Sequence, residues 1–136
     1  MSITYKIFPN ERLIRVSAAG IVRARDMDGF VDALHKDPGL EPRLRLLYDA
    51  RYSEPDIPIL QLAEIAGRVQ RLMDRGVLRI AMVAESKNTI RMAKTFAVLA
   101  RALGSDIEVF TDLHAAEAWL RDATAGSDTQ ETPLPS

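Results

Sequence analysis

The sequence predicts an α/β fold in which an N-terminal β-hairpin leads into a βα superhelix. The sheet is five-stranded, mixed but mostly parallel, and its four helices lie mainly on one face. Three observations predict this. Two short alternating apolar runs open the chain, and three later apolar runs each stand between segments of helical period. The strand-like runs also carry Arg15, Ser17, Arg43, Arg45 and Arg79 among apolar neighbours, a pattern that suits a sheet covered fully on only one side.

Ile3 to Phe8 and Leu13 to Ala19 read as an antiparallel hairpin around Pro9-Asn10-Glu11-Arg12. Met27, Phe30, Val31 and Leu34 then fall on one helical face, and Asp37-Pro38-Gly39 stops that helix. A strand from Leu44 to Asp49 follows, and Arg51-Tyr52-Ser53-Glu54-Pro55-Asp56 reads as a turn. Asp56 is the expected N-cap of a helix from Ile57 to about Arg75, with Pro58 tolerated in its first turn and Gly76 ending it. Val77 to Ala84 is the fourth strand. Ser86 is the expected cap of a helix from Lys87 to Leu103, which Gly104 terminates. A strand from Ile107 to Phe110 and a helix from Leu113 to Leu120 complete a domain over residues 1–122. Residues 123–136 lack periodicity and large apolar groups, and are expected to form a disordered tail.

Length and composition fit one soluble globular domain: 136 residues, 47% apolar and 27% charged. The absence of cysteine excludes disulfides and thiolate chemistry, and no segment approaches a membrane span or an export signal. The chain is expected to be cytoplasmic. Net charge is −1 but uneven, because residues 57–104 hold 8 basic and 3 acidic side chains, +5, against −6 elsewhere. Without dense basic clusters and stacking aromatics, this asymmetry does not indicate nucleic acid.

No catalytic set, cofactor motif or metal-ligand spacing is visible. His35 and His114 stand alone, and Asp28 and Asp32 lie off the apolar face of the first helix. Open α/β sheets bind ligands at the carboxyl ends of their strands, which here brings Asp49, Arg51, Tyr52, Ser53, Glu85, Ser86 and Thr111 forward as ligand-binding candidates. Ser86 and Asp56 are also explained as caps, and Asp49 as an acceptor of loop amides. Arg51 and Tyr52 are the hardest to account for structurally.

A second candidate surface combines cations with wide apolar arcs: Arg68, Arg71 and Arg75 on the second helix, and Lys87, Arg91, Lys94 and Arg101 on the third. The predicted core face of the second helix is Ile59, Leu62, Ala63, Ala66, Val69 and Met73, with Leu60, Ile65 and Leu72 at its margins. That of the third is Ile90, Phe96, Leu99 and Leu103, with Met92 and Val98 beside it. Cations beside surplus apolar groups suit a partner groove or an anionic membrane surface, although helix-end electrostatics and packing account for the same pattern.

The succession Leu13-Ile14-Arg15-Val16-Ser17-Ala18-Ala19-Gly20, Asp37-Pro38, Leu46-Leu47-Tyr48-Asp49-Ala50-Arg51, Val109-Phe110-Thr111-Asp112 and Ala116-Glu117-Ala118-Trp119-Leu120 resembles the SpoIIAA-like branch of the STAS superfamily over about residues 1–121. The resemblance implies a small bacterial regulatory or binding protein. Its relatives suggest two themes: anti-sigma factor antagonists switched by phosphorylation of an Asp-Ser motif opening the second helix, and structurally similar lipid-carrying domains. Here the corresponding stretch is Ser53-Glu54-Pro55-Asp56, without that dipeptide, and Glu54 would oppose an added phosphate. The resulting expectation is a noncatalytic module, without cofactor, recognising a partner protein or small ligand at the strand-end crevice. Peripheral binding of membrane or an apolar ligand through the second and third helices is the alternative. The exposed sheet face leaves pairing with a second copy open.

Overall fold

The computed structural model describes residues 2–130, with side chains for residues 2–122. The expected tail over 123–136 falls beyond the described side chains, and 131–136 beyond the described backbone as well. The strands are β1 (Ile3–Phe8), β2 (Leu13–Arg23), β3 (Leu44–Asp56), β4 (Val77–Val83) and β5 (Ile107–Phe110); the helices are α1 (Ala24–Lys36), α2 (Ile59–Asp74), α3 (Lys87–Ala102) and α4 (Leu113–Gln130). Sheet order follows chain order, with β1 antiparallel to β2 and all other pairs parallel. That order decides where the helices go. Each βαβ unit steps the same way across the sheet, so right-handed crossovers place α1, α2 and α3 side by side on one face. Only α4, which follows the last strand, is free to cross to the other.

The larger core lies under α1 to α3, where Ile14, Val16, Leu46 and Ile80 from the sheet meet Leu34, Ile65, Leu72 and Phe96. A smaller cluster lies under α4, where Ala116 and Leu120 cover Leu47, Ala81 and Val83. Arg79 stacks on Trp119 at 4.1 Å and pairs with Asp106 at 2.7 Å, which accounts for one of the alternate charges. Arg45 is not at a solvated position as its alternation suggests. It is buried, and its guanidinium donates to the Leu120 and Glu11 carbonyls at 3.1 and 2.8 Å.

Local chemistry explains the joints. Tyr5 donates to the Asp37 carboxylate at 2.6 Å and the Gly39 N–H to its other oxygen at 2.8 Å, fastening the end of α1 to β1. The Asp37-Pro38 signature therefore has a structural role. Burial and the adjacent carboxylate push the Tyr5 phenol up to about 12, while the Tyr5 hydrogen bond holds Asp37 below the usual carboxylate range. Gly76 ends α2 at φ +109°, and a Cβ there would stand 2.6 Å from Pro42 Cα.

Three expectations are corrected. The strands do not stop at Ala19 and Asp49: Ala19–Arg23 pairs with Tyr52–Asp56, forming a two-stranded extension beyond the end of β4. Pro55 is tolerated there because this part of β3 has no β4 partner. Asp56 is not a helix cap. It faces Arg23 across the extension at 3.8 Å, and α2 starts after Pro58 with no side-chain cap.

The helix faces are also rotated from the predicted phase. On α2, Ile65 and Leu72 are core, whereas Ile59 and Ala63 are exposed. On α3 the buried face is Thr89, Ala93, Phe96, Ala97 and Ala100, and Leu103 is exposed. Weighting large side chains hid a face made chiefly of alanines, whose small size lets α3 lie close to the sheet.

Candidate functional site

Where β2 and β3 pass beyond β4, the register slips: Ser17 faces Asp49, but Ala19 faces Tyr52, so β3 carries one extra residue. This is a β-bulge, and the segment expected as a turn is built around it. The Asp49 carboxylate accepts from the Arg51 backbone N–H at 3.1 Å and from its Nε and Nη2 at 2.9 and 2.8 Å. Arg51 also lies 5.3 Å from the Tyr52 ring. The guanidinium hydrogen bonds hold Asp49 below the usual carboxylate range against the opposing effect of partial burial, and the same contact raises Arg51. Both charges are thus half-buried and mutually neutralised.

Ser53 donates to the Ala50 carbonyl at 3.0 Å and is buried at the inner side of the bulge. Ser86 is the cap that its sequence predicts, accepting from Thr89 N–H at 3.2 Å. Its hydroxyl donates to Thr89 Oγ1 at 2.8 Å, and Thr89 donates to the Ser53 carbonyl at 3.1 Å. Ser53 and Ser86 are therefore brought together through Thr89, which sequence reasoning missed because a threonine within a helix carries no motif. Tyr52, Glu85 and Thr111 are exposed. Thr111 follows β5, two strands from β3, and does not join the bulge.

Below the bulge lies an apolar cavity of about 70 Å³ between the sheet, α2 and α3. Its wall includes Leu46, Tyr48, Leu62, Ile80, Ala93 and Phe96, and it reaches Ala50, Ser53 and Thr89 at the strand end. The half-buried Met27, Met82 and Met92 also line it. Apart from Ser53, no residue of the wall was a ligand-binding candidate from sequence, and Ile65, Leu72 and Met92 entered only as the apolar margins of the second and third helices. Their signal was indistinguishable from that of ordinary core.

A larger cleft of about 470 Å³ opens between the sheet and α4, lined by Glu11, Arg15, Arg45, Glu117 and Arg121. Arg15 pairs with Glu117 at 2.9 Å and Arg45 with two backbone carbonyls, so these cations already serve the fold. Among the described residues, no cluster of three His, Asp or Glu side chains could hold a metal.

The basic candidates separate into two groups. Arg68 pairs with Asp28 of α1 at 3.6 Å; Arg75 donates to the His35 and Leu40 carbonyls; Arg101 pairs with Glu108 and donates to the Ile107 carbonyl at 2.9 Å. Arg71, Lys87, Arg91 and Lys94 are exposed. Because α2 and α3 both follow parallel strands, their N-termini lie at the same end of the sheet. Lys87 and Arg91 thus share an end with exposed Ile59 and Leu60.

The family model described as SpoIIAA-like matches residues 13–121, from β2 into α4. The chain belongs to the SpoIIAA-like family. The fold agrees with a crystal structure of an uncharacterised protein of the DUF3478 family with a SpoIIAA-like fold from Shewanella loihica PV-4. The two share 15% identity, with 88% of this chain and 94% of the other covered and a TM-score of 0.60. No curated protein matches. In this SpoIIAA-like chain no helix among the described residues is long and apolar enough to cross a membrane.

Proposed function

We propose that this SpoIIAA-like protein is a noncatalytic regulatory or binding module that takes an apolar group of a small ligand into the space between the strand ends, α2 and α3. The observation that carries the reading is the apolar cavity beneath the bulge. The polar residues above it favour recognition over catalysis, since Asp49 and Arg51 neutralise each other and the Ser53 and Ser86 hydroxyls have partners. At about 70 Å³ the cavity is smaller than the ~150 Å³ that holds benzene in an engineered core. Flexible Met27, Met82 and Met92 supply the adaptability for a larger guest, and the uncapped first turn of α2 is the weakest part of the enclosure.

Titration with fluorobenzene, followed by amide NMR, tests the reading. Saturable shifts at Ala50, Ser53 and Ala93 are expected. Shifts confined to Glu85 and Thr111, or none, contradict it.

A second reading, peripheral membrane binding at an inner membrane surface, is favoured by one observation: Ile59 and Leu60 are 62% and 79% exposed at the end of the molecule that also carries Lys87 and Arg91. On this reading wild type sediments with anionic vesicles and Leu60→Asp does not. Equal recovery of both in the supernatant removes it.

A further inference from the structure

The ligand class of the cavity follows from the composition of its wall, and rests on the cavity being the binding site as proposed above. The wall contains no Asp, Glu, Lys, Arg or His. An ionised carboxylate or phosphate placed there would lose its hydration and find no opposite charge. The polar side chains in the wall are those of Tyr48, Ser53 and Thr89. Ser53 and Thr89 each donate to a backbone carbonyl, so either donor can turn to a ligand only by giving up a hydrogen bond already made.

Tyr48 differs. Its hydroxyl donates to Met27 Sδ at 3.3 Å, and a thioether is a weak acceptor on a flexible side chain. A ligand oxygen is a better partner, and Met27 can move aside to admit it. Burial, with a smaller contribution from Asp26, raises the Tyr48 phenol above its ordinary value and keeps it protonated as a donor.

We infer that the cavity selects an uncharged apolar ligand bearing one hydrogen-bond acceptor, an alcohol, ketone or ester oxygen that replaces Met27 Sδ as the partner of the Tyr48 hydroxyl. Ionised fatty acids and phosphorylated lipids are excluded as buried guests. The methionine releases its hydrogen bond as the ligand enters, so the Tyr48 hydroxyl has an acceptor in either state.

Hexanol and hexanoate, matched in chain length and compared at neutral pH, provide the test, with fluorobenzene as a guest lacking a strong acceptor. Amide shifts of Ala50, Ser53 and Ala93 report binding. Hexanol is expected to bind saturably and hexanoate at least about tenfold more weakly. Tyr48→Phe should weaken hexanol about threefold to tenfold while changing fluorobenzene by less than about twofold.

Hexanoate binding as tightly as hexanol overturns the uncharged class but leaves the cavity as a binding site. An equal loss of hexanol and fluorobenzene in Tyr48→Phe assigns Tyr48 to packing and overturns its role as donor. If none of the three compounds shifts these amides, both the ligand class and the cavity reading fail.

Discussion

Two regions meet at Ala50 to Ser53, and they divide labour against first appearance. Above is the bulge, where Asp49, Arg51 and Tyr52 have the residue types of an active site but are tied to one another. Below is the cavity, walled by residues that look like plain core yet leave space unfilled. On the proposed reading, the chemical-looking side chains hold the bulge together and the structural-looking ones line the candidate site. A polar group that lends itself to function at a strand end is one with a replaceable partner. By that measure Tyr48 stands out, whereas Asp49 does not.

The largest effects should come from below. Leu72→Ala removes a fully buried side chain from the cavity wall and should destabilise the protein by about 2–5 kcal/mol in urea unfolding. A much smaller loss means that the surrounding helices collapse into the space, which weakens the contrast between the regions.

Asp49→Ala comes next. It leaves the half-buried Arg51 guanidinium and backbone N–H without their carboxylate, and should cost about 1–3 kcal/mol. Fluorobenzene binding should be retained once folding is accounted for. Loss of binding in a folded Asp49→Ala protein would merge the regions into one site.

A subtler effect appears in acid. Asp49 has a lowered folded pKa, so its contribution is fully present above the unfolded value and disappears as pH falls through the folded one. Between about pH 4 and pH 2, wild type should lose stability more steeply than Asp49→Asn. Asp37 titrates in the same direction, so the variant removes only part of the slope. Identical slopes contradict the bulge pairing. The smallest effect belongs to Tyr52→Ala, expected within about 0.5 kcal/mol of wild type because the ring is 68% exposed.

The sheet was legible in the sequence because period and topology are set by patterning: apolar runs marked the strands, and right-handed crossovers put the helices mainly on one face. The Ser86 cap was legible too, since a serine before a helix has a local mechanism. The bulge was not. Arg51-Tyr52-Ser53-Glu54-Pro55-Asp56 contains turn-forming types, and the pairing that holds it extended comes from Ala19–Arg23, far away in sequence. The alanine face of α3 was hidden for a related reason, because small residues carry little periodic signal although they set how closely a helix packs. The cavity lies beyond any local pattern. Leu62 in a filled core and Leu62 beside a void are the same letter.

On the proposed function, recognition belongs to the apolar cavity and not to the bulge above it. Fluorobenzene affinity, measured from its fluorine NMR signal in Ala93→Leu and Arg51→Gln, tests this most directly, with thermal unfolding used to verify that both variants are folded. Ala93→Leu fills the cavity and should abolish binding, while Arg51→Gln should leave it within about twofold of wild type. Unchanged binding in Ala93→Leu together with its loss in Arg51→Gln would put recognition at the bulge and not in the cavity.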